Sequence, residues 1–335
     1  MRTAVVIPNL NGGDSLVSCL DSLQNQSVPV TIIVVENASI DDSLQILQEK
    51  YPDVTVLVQS RNLGFAGGVN AGIQKAMELD MTYVALFNND AVADKEWTKE
   101  LQSYLDSQPE VGIATGKFMN ASGDSLDSTG EGYTTWGLPF PRGRGEAVDT
   151  YNEPELVFGA TGGASMYRVD TLKEVGLFDE DFFAYYEDVD ISFRAQWAGW
   201  KVGYVPAARA YHQIGATSGK IKGFTTYQAM KNLPWVFWKN APSSLFFKVY
   251  PRLALSLWLF LFSAIVHGNG WPAIKGIFHS LVLTPKKLGE RRRIMGSAKV
   301  PASYIASIMV WDLPPAAHNL RALRSKWWHL IRRGA

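Results

Sequence analysis

The sequence predicts an α/β fold, a parallel sheet with helices on both faces, followed by a helical C-terminal region that is apolar and basic. Two observations carry this. Through the first 115 residues, short apolar or β-branched runs alternate with amphipathic stretches of about ten residues, the pattern of parallel strands joined by crossover helices. Charge is also divided along the chain. The 32 Lys+Arg and 32 Asp+Glu cancel overall, yet residues 246–335 hold 14 of the bases and only two acids, Glu290 and Asp312. An acidic body with a basic tail points to a tail that meets anions.

The elements follow in order. Residues 4–7 form an apolar strand ended by Pro8, and Leu16, Cys19, Leu20 and Leu23 mark a helix over 15–24. A β-branched strand at 30–35 precedes a helix at 41–50, and a strand at 54–58 precedes a helix at 67–79. A strand at 83–87 and a helix at 95–107 complete the series. Residues 120–155 are rich in Gly, Ser, Thr, Asp and Pro and predict a long irregular loop. Order returns at 156–168 and at 201–205. The length of 335 residues suits one large or two small domains. Cys19, alone, excludes an intramolecular disulfide and a cysteine-rich metal site, and suits a reducing compartment. Met1-Arg2-Thr3 runs straight into the first strand, so no signal peptide is expected.

Ligands of such sheets gather at the carboxyl ends of the strands. Those ends read Pro8-Asn9-Leu10-Asn11-Gly12, Glu36-Asn37-Ala38-Ser39, Arg61-Asn62-Leu63-Gly64-Phe65-Ala66-Gly67-Gly68 and Asn88-Asn89-Asp90. Amides and acids can bond a base and ribose, and glycines let backbone N–H groups approach phosphate. Each could also be a plain turn, but four at one edge favour a nucleotide cleft. Neither the dinucleotide Gly-x-Gly-x-x-Gly nor the Walker loop is present. Asp90, at the end of an apolar strand, is the natural ligand for a hard cation. His212 is either a second ligand or a structural histidine.

Phe182 to Arg194 reads FFAYYEDVDISFR. Glu187, Asp188 and Asp190 follow a run of aromatics. Apolar surroundings raise a carboxylate's pKa and suit a general base; acids in a first helical turn suit the helix dipole. Both readings stand on this segment alone.

Taken together, these segments resemble the family 2 glycosyltransferases, which take nucleotide-sugar donors on a GT-A fold, and among them the bacterial rhamnosyltransferase-like subgroup. The carriers are Val6 to Gly12, Val34 to Ser39, Asn62 to Asn70, Leu86 to Asp90 and Tyr186 to Asp190, in order across residues 3–215. The resemblance implies a mixed, mostly parallel GT-A sheet in residues 1–245, with a nucleotide-sugar half at 1–115, an acceptor half at 116–245 and a tail at 246–335. It implies Asp188 as catalytic base with Glu187 beside it, and Asp90 as the last residue of a DxD-like motif that here reads Asn88-Asn89-Asp90. His212 would complete the coordination of Mg2+ or Mn2+. Pro8, Asn9, Asn11, Glu36, Asn37, Asn62, Gly64, Asn70, Asn89 and Asp90 would hold a dTDP- or UDP-sugar. Gly162, Gly163, Tyr185 and Tyr186 would meet the acceptor, with the aromatic run 182–186 as its floor. Asp190 reads as a helix-start carboxylate.

The implied activity is inverting transfer of one sugar per encounter, rhamnose included, to a glycan or lipid-linked acceptor in cell-wall or surface polysaccharide synthesis. The Gln-x-x-Arg-Trp signature of processive synthases is missing. A sugar-nucleotide nucleotidyltransferase is the alternative enzyme, but it needs bases straight after the first strand, and Asn9 to Gly13 has none. An inactive membrane-bound scaffold is the non-enzyme alternative. In the tail, residues 253–266 are uncharged and shorter than the roughly 20 apolar residues of a span. Interleaved bases, Trp and Leu there read as helices lying on an anionic membrane. That predicts a cytoplasmic protein, peripheral on the inner face of the plasma membrane, with homo-oligomerisation left open. A helical subdomain packed on the body is the other reading of the tail, and nucleic-acid binding is not expected. Residues 213–219 read as a mobile loop over the diphosphate.

Overall fold

The computed structural model describes residues 2–212, 221–315 and 317. The loop expected at 213–219 and the basic, aromatic stretch 326–329 lie outside them. The first half runs β1 (Thr3–Asn9), α1 (Gly13–Gln24), β2 (Thr31–Glu36), α2 (Ser43–Lys50), β3 (Thr55–Val58), α3 (Gly64–Glu78), β4 (Tyr83–Phe87), β5 (Ala91–Ala93), α4 (Trp97–Ser107) and β6 (Val111–Asn120). Then come β7 (Leu126–Ser128), β8 (Glu131–Tyr133), β9 (Pro139–Pro141), β10 (Glu155–Val157), β11 (Ala164–Arg168), α5 (Val169–Val175), α6 (Glu187–Trp197) and β12 (Lys201–His212). Four helices close the described chain: α7 (Phe224–Asn240), α8 (Phe246–Val266), α9 (Gly270–Gly296) and α10 (Ala302–Ser307).

Ten strands make one sheet in the order β10-β12-β6-β11-β4-β1-β2-β3, with β5 on β12 and β7 on β6. Strands β3, β2, β1 and β4 are mutually parallel, and β12 is parallel to β6. Strand β11 runs antiparallel to both β4 and β6. The sheet is therefore mixed and mostly parallel, as expected. The register places the active edge: Asn9 pairs with Glu36, Phe87 with Ala164, and His212 with Asn120 and Ala91. The carboxyl ends of β1, β2, β4, β6 and β12 and the amino end of β11 thus share one side of the sheet.

Strand alternation builds a core on each face. Val5 and Ile7 of β1 join Leu16, Cys19, Leu20 and Leu23 of α1 in one cluster. Ala4 and Val6 join Ala66, Val69, Ile73 and Ala76 of α3 in the other. Residues 120–155 are more ordered than their composition suggests. Strand β7 pairs with β6, and β8 and β9 form a hairpin. Both pairings join neighbours in sequence, but β7, β8 and β9 are three residues each, too short for an alternating pattern to show among the surrounding turn formers.

A third cluster joins Val189, Phe193 and Trp197 of α6 to Leu233, Trp235, Val236 and Phe237 of α7, Val249 and Leu253 of α8, and Ile305 and Met309. The C-terminal helices therefore pack on the helix that carries the expected base.

Candidate active site

The polar residues at the sheet edge bond to one another. Asn9 donates from Nδ2 to Glu36 Oε2 (2.6 Å) and accepts at Oδ1 from Asn89 Nδ2 (2.8 Å). Glu36 Oε1 accepts from the Ser39 N–H (2.7 Å), and Ser39 Oγ accepts from the Asn11 N–H (2.9 Å). Asn9, Glu36 and Asn89 are buried, whereas Asn11 is exposed and Pro8 half-buried. The expectation for this edge is thus refined: the buried members brace it, and Asn11 and Ser39 stand at its surface.

Two further residues expected at the donor are struts. Asn37 accepts from the Leu63 N–H and donates to Gly64 O (3.0 Å), fixing the start of α3. Asn70 spends both ends of its amide on the Phe178 backbone, at 2.8 and 2.9 Å, and also meets Glu180 Oε1. Burial and these bonds make both side chains supports for the chain at the start of α3 and before α6. Asn62 is exposed and accepts from the Gly64 N–H at 2.8 Å. Gly64 has φ +72°, and a Cβ there would lie 2.4 Å from Phe183 O, so only glycine lets α3 meet the acidic segment so closely.

Asp90 and His212 come together as expected. Asp90 Oδ1 is 3.2 Å from His212 Nε2, and His212 Nδ1 is 2.8 Å from Asp127 Oδ2. Asp127 is itself paired with Arg144 at 2.8 Å, and the imidazole stacks on Phe118 with ring centroids 4.7 Å apart. Burial pushes the His212 pKa down, but the hydrogen bonds and charges of Asp127 and Asp90 outweigh it and raise it to about 9. A carboxylate oxygen beside an imidazole nitrogen, with the other ring nitrogen held by a buried carboxylate, is a donor set that fits a divalent cation. Asp90 and His212 would hold it.

The acidic segment forms the other wall. Residues Phe183, Tyr185 and Tyr186 all have positive φ (64°, 69° and 73°), a conformation costing each non-glycine residue about 1–3 kcal/mol. Helix α6 starts at Glu187, so Asp188 lies in its first turn. Asp188 Oδ2 accepts from the Gly162 N–H (2.9 Å) and Oδ1 from the Val189 N–H (2.8 Å). Burial raises the Asp188 pKa, and those N–H groups offset only part of the rise. Glu187 is pushed well above the usual range by burial and then by Asp188, and its Oε2 has no partner among the described residues. Glu131 of β8 is raised likewise, by burial first and next by the charge of Asp188.

Asp190 is not merely a helix-start carboxylate. It is fully buried and accepts from Arg194 Nε (2.9 Å), Lys239 Nζ (2.9 Å) and Asn240 Nδ2 (2.8 Å). Phe182 is not a floor for a substrate either. It is buried edge-on to Trp235, while Phe183 and Tyr185 are half-buried beside Phe224. Gly162 and Gly163 do lie at the edge, next to Asp188 and Asn88. Asp127 and Glu131 were missed. Each stands in a Gly- and Ser-rich or turn-like stretch where nothing in the local sequence names its partner.

Asp179, Asp181 and Glu290 also cluster, but the cations among them are lysines. Lys287 Nζ lies 2.6 Å from Asp179, 2.7 Å from Asp181 and 3.3 Å from Glu290, and Lys239 and Lys286 complete the network. These carboxylates need no metal.

The profile of glycosyl transferase family 2 matches residues 4–176, half of the chain. The chain belongs to the family 2 glycosyltransferases. This glycosyltransferase is 27% identical over 214 residues to the N-acetylglucosaminyl-diphospho-decaprenol L-rhamnosyltransferase of Mycobacterium tuberculosis, covering 57% of its own length and 69% of that protein. Its fold resembles S. aureus TarS 1–349 in complex with UDP-GlcNAc (TM-score 0.53, 16% identity, 89% of this chain and 91% of that one). It also resembles GalNAc-T7 with UDP, GalNAc and Mn2+ (TM-score 0.57, 18% identity, 71% of this chain), of whose length it spans about half, 48%. The GT-A fold and the glycosyltransferase class expected from the sequence are both borne out.

Proposed function

We propose that this enzyme transfers one sugar, with inversion, from a dTDP- or UDP-sugar to a hydroxyl of a glycan or lipid-linked acceptor. The observation that carries the reading is the placement of Asp188 and the Asp90–His212 pair at the same edge of one sheet. Asp188 has the raised basicity of a proton acceptor and an orientation fixed by two N–H groups. It would take the acceptor hydroxyl's proton as that oxygen bonds to the anomeric carbon and the nucleoside diphosphate departs from the opposite face. A bound Mg2+ or Mn2+ would neutralise charge on the leaving diphosphate. No covalent intermediate is required. Cys19 is no nucleophile, because burial, then the charge of Asp90, push its thiol far up. The activity of the bacterial relative supports rhamnose and a lipid-diphosphate acceptor, and the UDP-GlcNAc in the TarS complex supports the alternative base.

Residues 1–245 form the catalytic unit in this reading, with 1–115 facing the donor and 116–245 the acceptor. Residues 246–335 form a membrane-facing tail. Ser243–Val266 is long and apolar enough to cross a membrane, yet Val249, Leu253, Ser256 and Ala264 are buried against the body. Its free face carries Trp258, Phe262 and Ile265. One face on protein and one free suits a helix lying in the interface of an anionic, cytoplasmic membrane surface better than one spanning it.

A thermal-shift panel of UDP-, dTDP- and GDP-sugars with and without Mn2+ tests the donor. One sugar nucleotide should raise Tm in a concentration-dependent, metal-dependent way. If none does, and purified enzyme consumes none, the reading fails.

A further inference from the structure

We propose that Asn232 of α7 is a positioning residue for the general base, holding the strained segment before α6 in the geometry that aims Asp188; the inference rests on the assignment of Asp188. Asn232 is fully buried. Its Nδ2 lies 3.0 Å from Phe182 O, 2.9 Å from Ala184 O and 2.8 Å from Tyr185 O. An amide nitrogen has two hydrogens, so three carbonyls converge on one donor and share it. The neighbouring Lys231 adds its ammonium to Asp181 O (2.8 Å) and Phe182 O (3.2 Å).

These carbonyls face α7 because Phe183, Tyr185 and Tyr186 hold positive φ. Residues with a Cβ leave that region when nothing holds them. Relaxation would rotate the peptide planes on both sides of Tyr185, and the next residues are Tyr186, the cap of α6, and the acidic pair. The segment is gripped on its other side too, where the Ala66 N–H of α3 donates to Phe183 O at 3.1 Å. Asn232 Oδ1 has no partner among the described residues. An apolar side chain there would remove the orphan acceptor but leave the carbonyls of 182, 184 and 185 without their shared donor, so the amide's contribution lies in what its nitrogen holds.

The full chain with Asn232→Ala and Asn232→Ser tests this. Serine keeps one O–H donor should alanine fail to fold. Hydrogen exchange of peptides covering 182–190 should accelerate by about tenfold or more, with the sheet core unchanged. Turnover of dTDP-rhamnose or UDP-GlcNAc with Mn2+, whichever the wild type consumes, should fall about 100-fold per folded molecule, with donor KM held within about threefold. Serine should fall less than alanine. Unchanged exchange at 182–190 overturns the proposal, as does turnover within about threefold of wild type or a parallel change in KM. If the wild type consumes neither donor, the sugar nucleotide that the thermal-shift panel selects replaces them; if the panel selects none, the glycosyl-transfer reading has failed and the exchange result alone decides the positioning role.

Discussion

Asp188 accepts two backbone N–H bonds and still has a raised pKa, because burial opposes ionisation more strongly than those bonds favour it. A base works ionised, so a raised pKa moves the acid limb of kcat upward, and activity is lost as pH falls through that pKa. kcat measured from pH 5 to 9 should fall about tenfold per unit on that limb, with its midpoint above that of an ordinary carboxylate. A limb at the ordinary carboxylate position would count against Asp188 as the base. Asp188→Asn should lower transfer by at least about 100-fold while donor binding, read by thermal shift, stays near wild type. Full activity in that variant sinks the assignment. Asp127 acts through His212: Asp127→Asn removes the charge at Nδ1 and should weaken Mn2+ binding, measured by calorimetry, by about 10–100-fold. Unchanged affinity would leave Asp127 a bystander. Asp188, Asp90 and His212 were legible in the sequence because each ends or starts an element and matches an ordered family pattern. Asp127 and Asn232 were not, since a residue that acts on another across 85 or 47 positions leaves no local mark.

Helices α7 and α9 reach the site through charge. Asp179 and Asp190 are pushed up by burial, but Lys239, with Lys287 at Asp179 and Arg194 at Asp190, more than reverses this and holds both below the usual carboxylate range. Folded pKa values below the unfolded ones stabilise the protein above the unfolded pKa, and that stability drains as pH falls through the folded values. Tm should therefore fall steadily between about pH 5 and pH 2. Lys287→Met should flatten that acid limb and lower Tm at pH 7 by on the order of 10 °C, since stranding buried carboxylates costs about 3–5 kcal/mol. A variant as stable as wild type would mean that Lys239 and Lys286 neutralise the cluster alone. At this scale the sequence was most readable where periodicity was local. Every strand and helix expected through residue 107 stands within a few residues of its place, and only the three-residue β5 was not foreseen among the described residues there. Strands β7, β8 and β9 were hidden because their partners, not their composition, make them strands.

The whole molecule presents two surfaces, and the C-terminal helices belong to both. Val249, Leu253, Ile305 and Met309 are core residues, so removing residues 246–335 would strip one side of the third cluster and leave α7 alone against α6, rather than release a free tail. On the outer side, Trp258, Phe262, Trp271 and Phe278 are 61%, 59%, 74% and 62% exposed. Such apolar area does not face water without cause. Lys248, Lys275, Arg292 and Arg293 are exposed on the same helices and would meet anionic headgroups, each contributing about 1 kcal/mol near the surface. On the proposed membrane reading, packed subdomain and membrane helices would be opposite faces of the same elements. Surface substitutions separate them where truncation cannot. Trp258, Phe262, Trp271 and Phe278 changed together to Ser should leave Tm close to wild type, because those side chains contribute little to the core. The same variant should no longer sediment with vesicles rich in phosphatidylglycerol, whereas the wild type sediments and is partly released by 0.5 M salt (about twofold or more). A wild type that stays in solution with those vesicles rules out the membrane face. A quadruple variant that still sediments shows that charge, not the apolar stripe, holds the enzyme there.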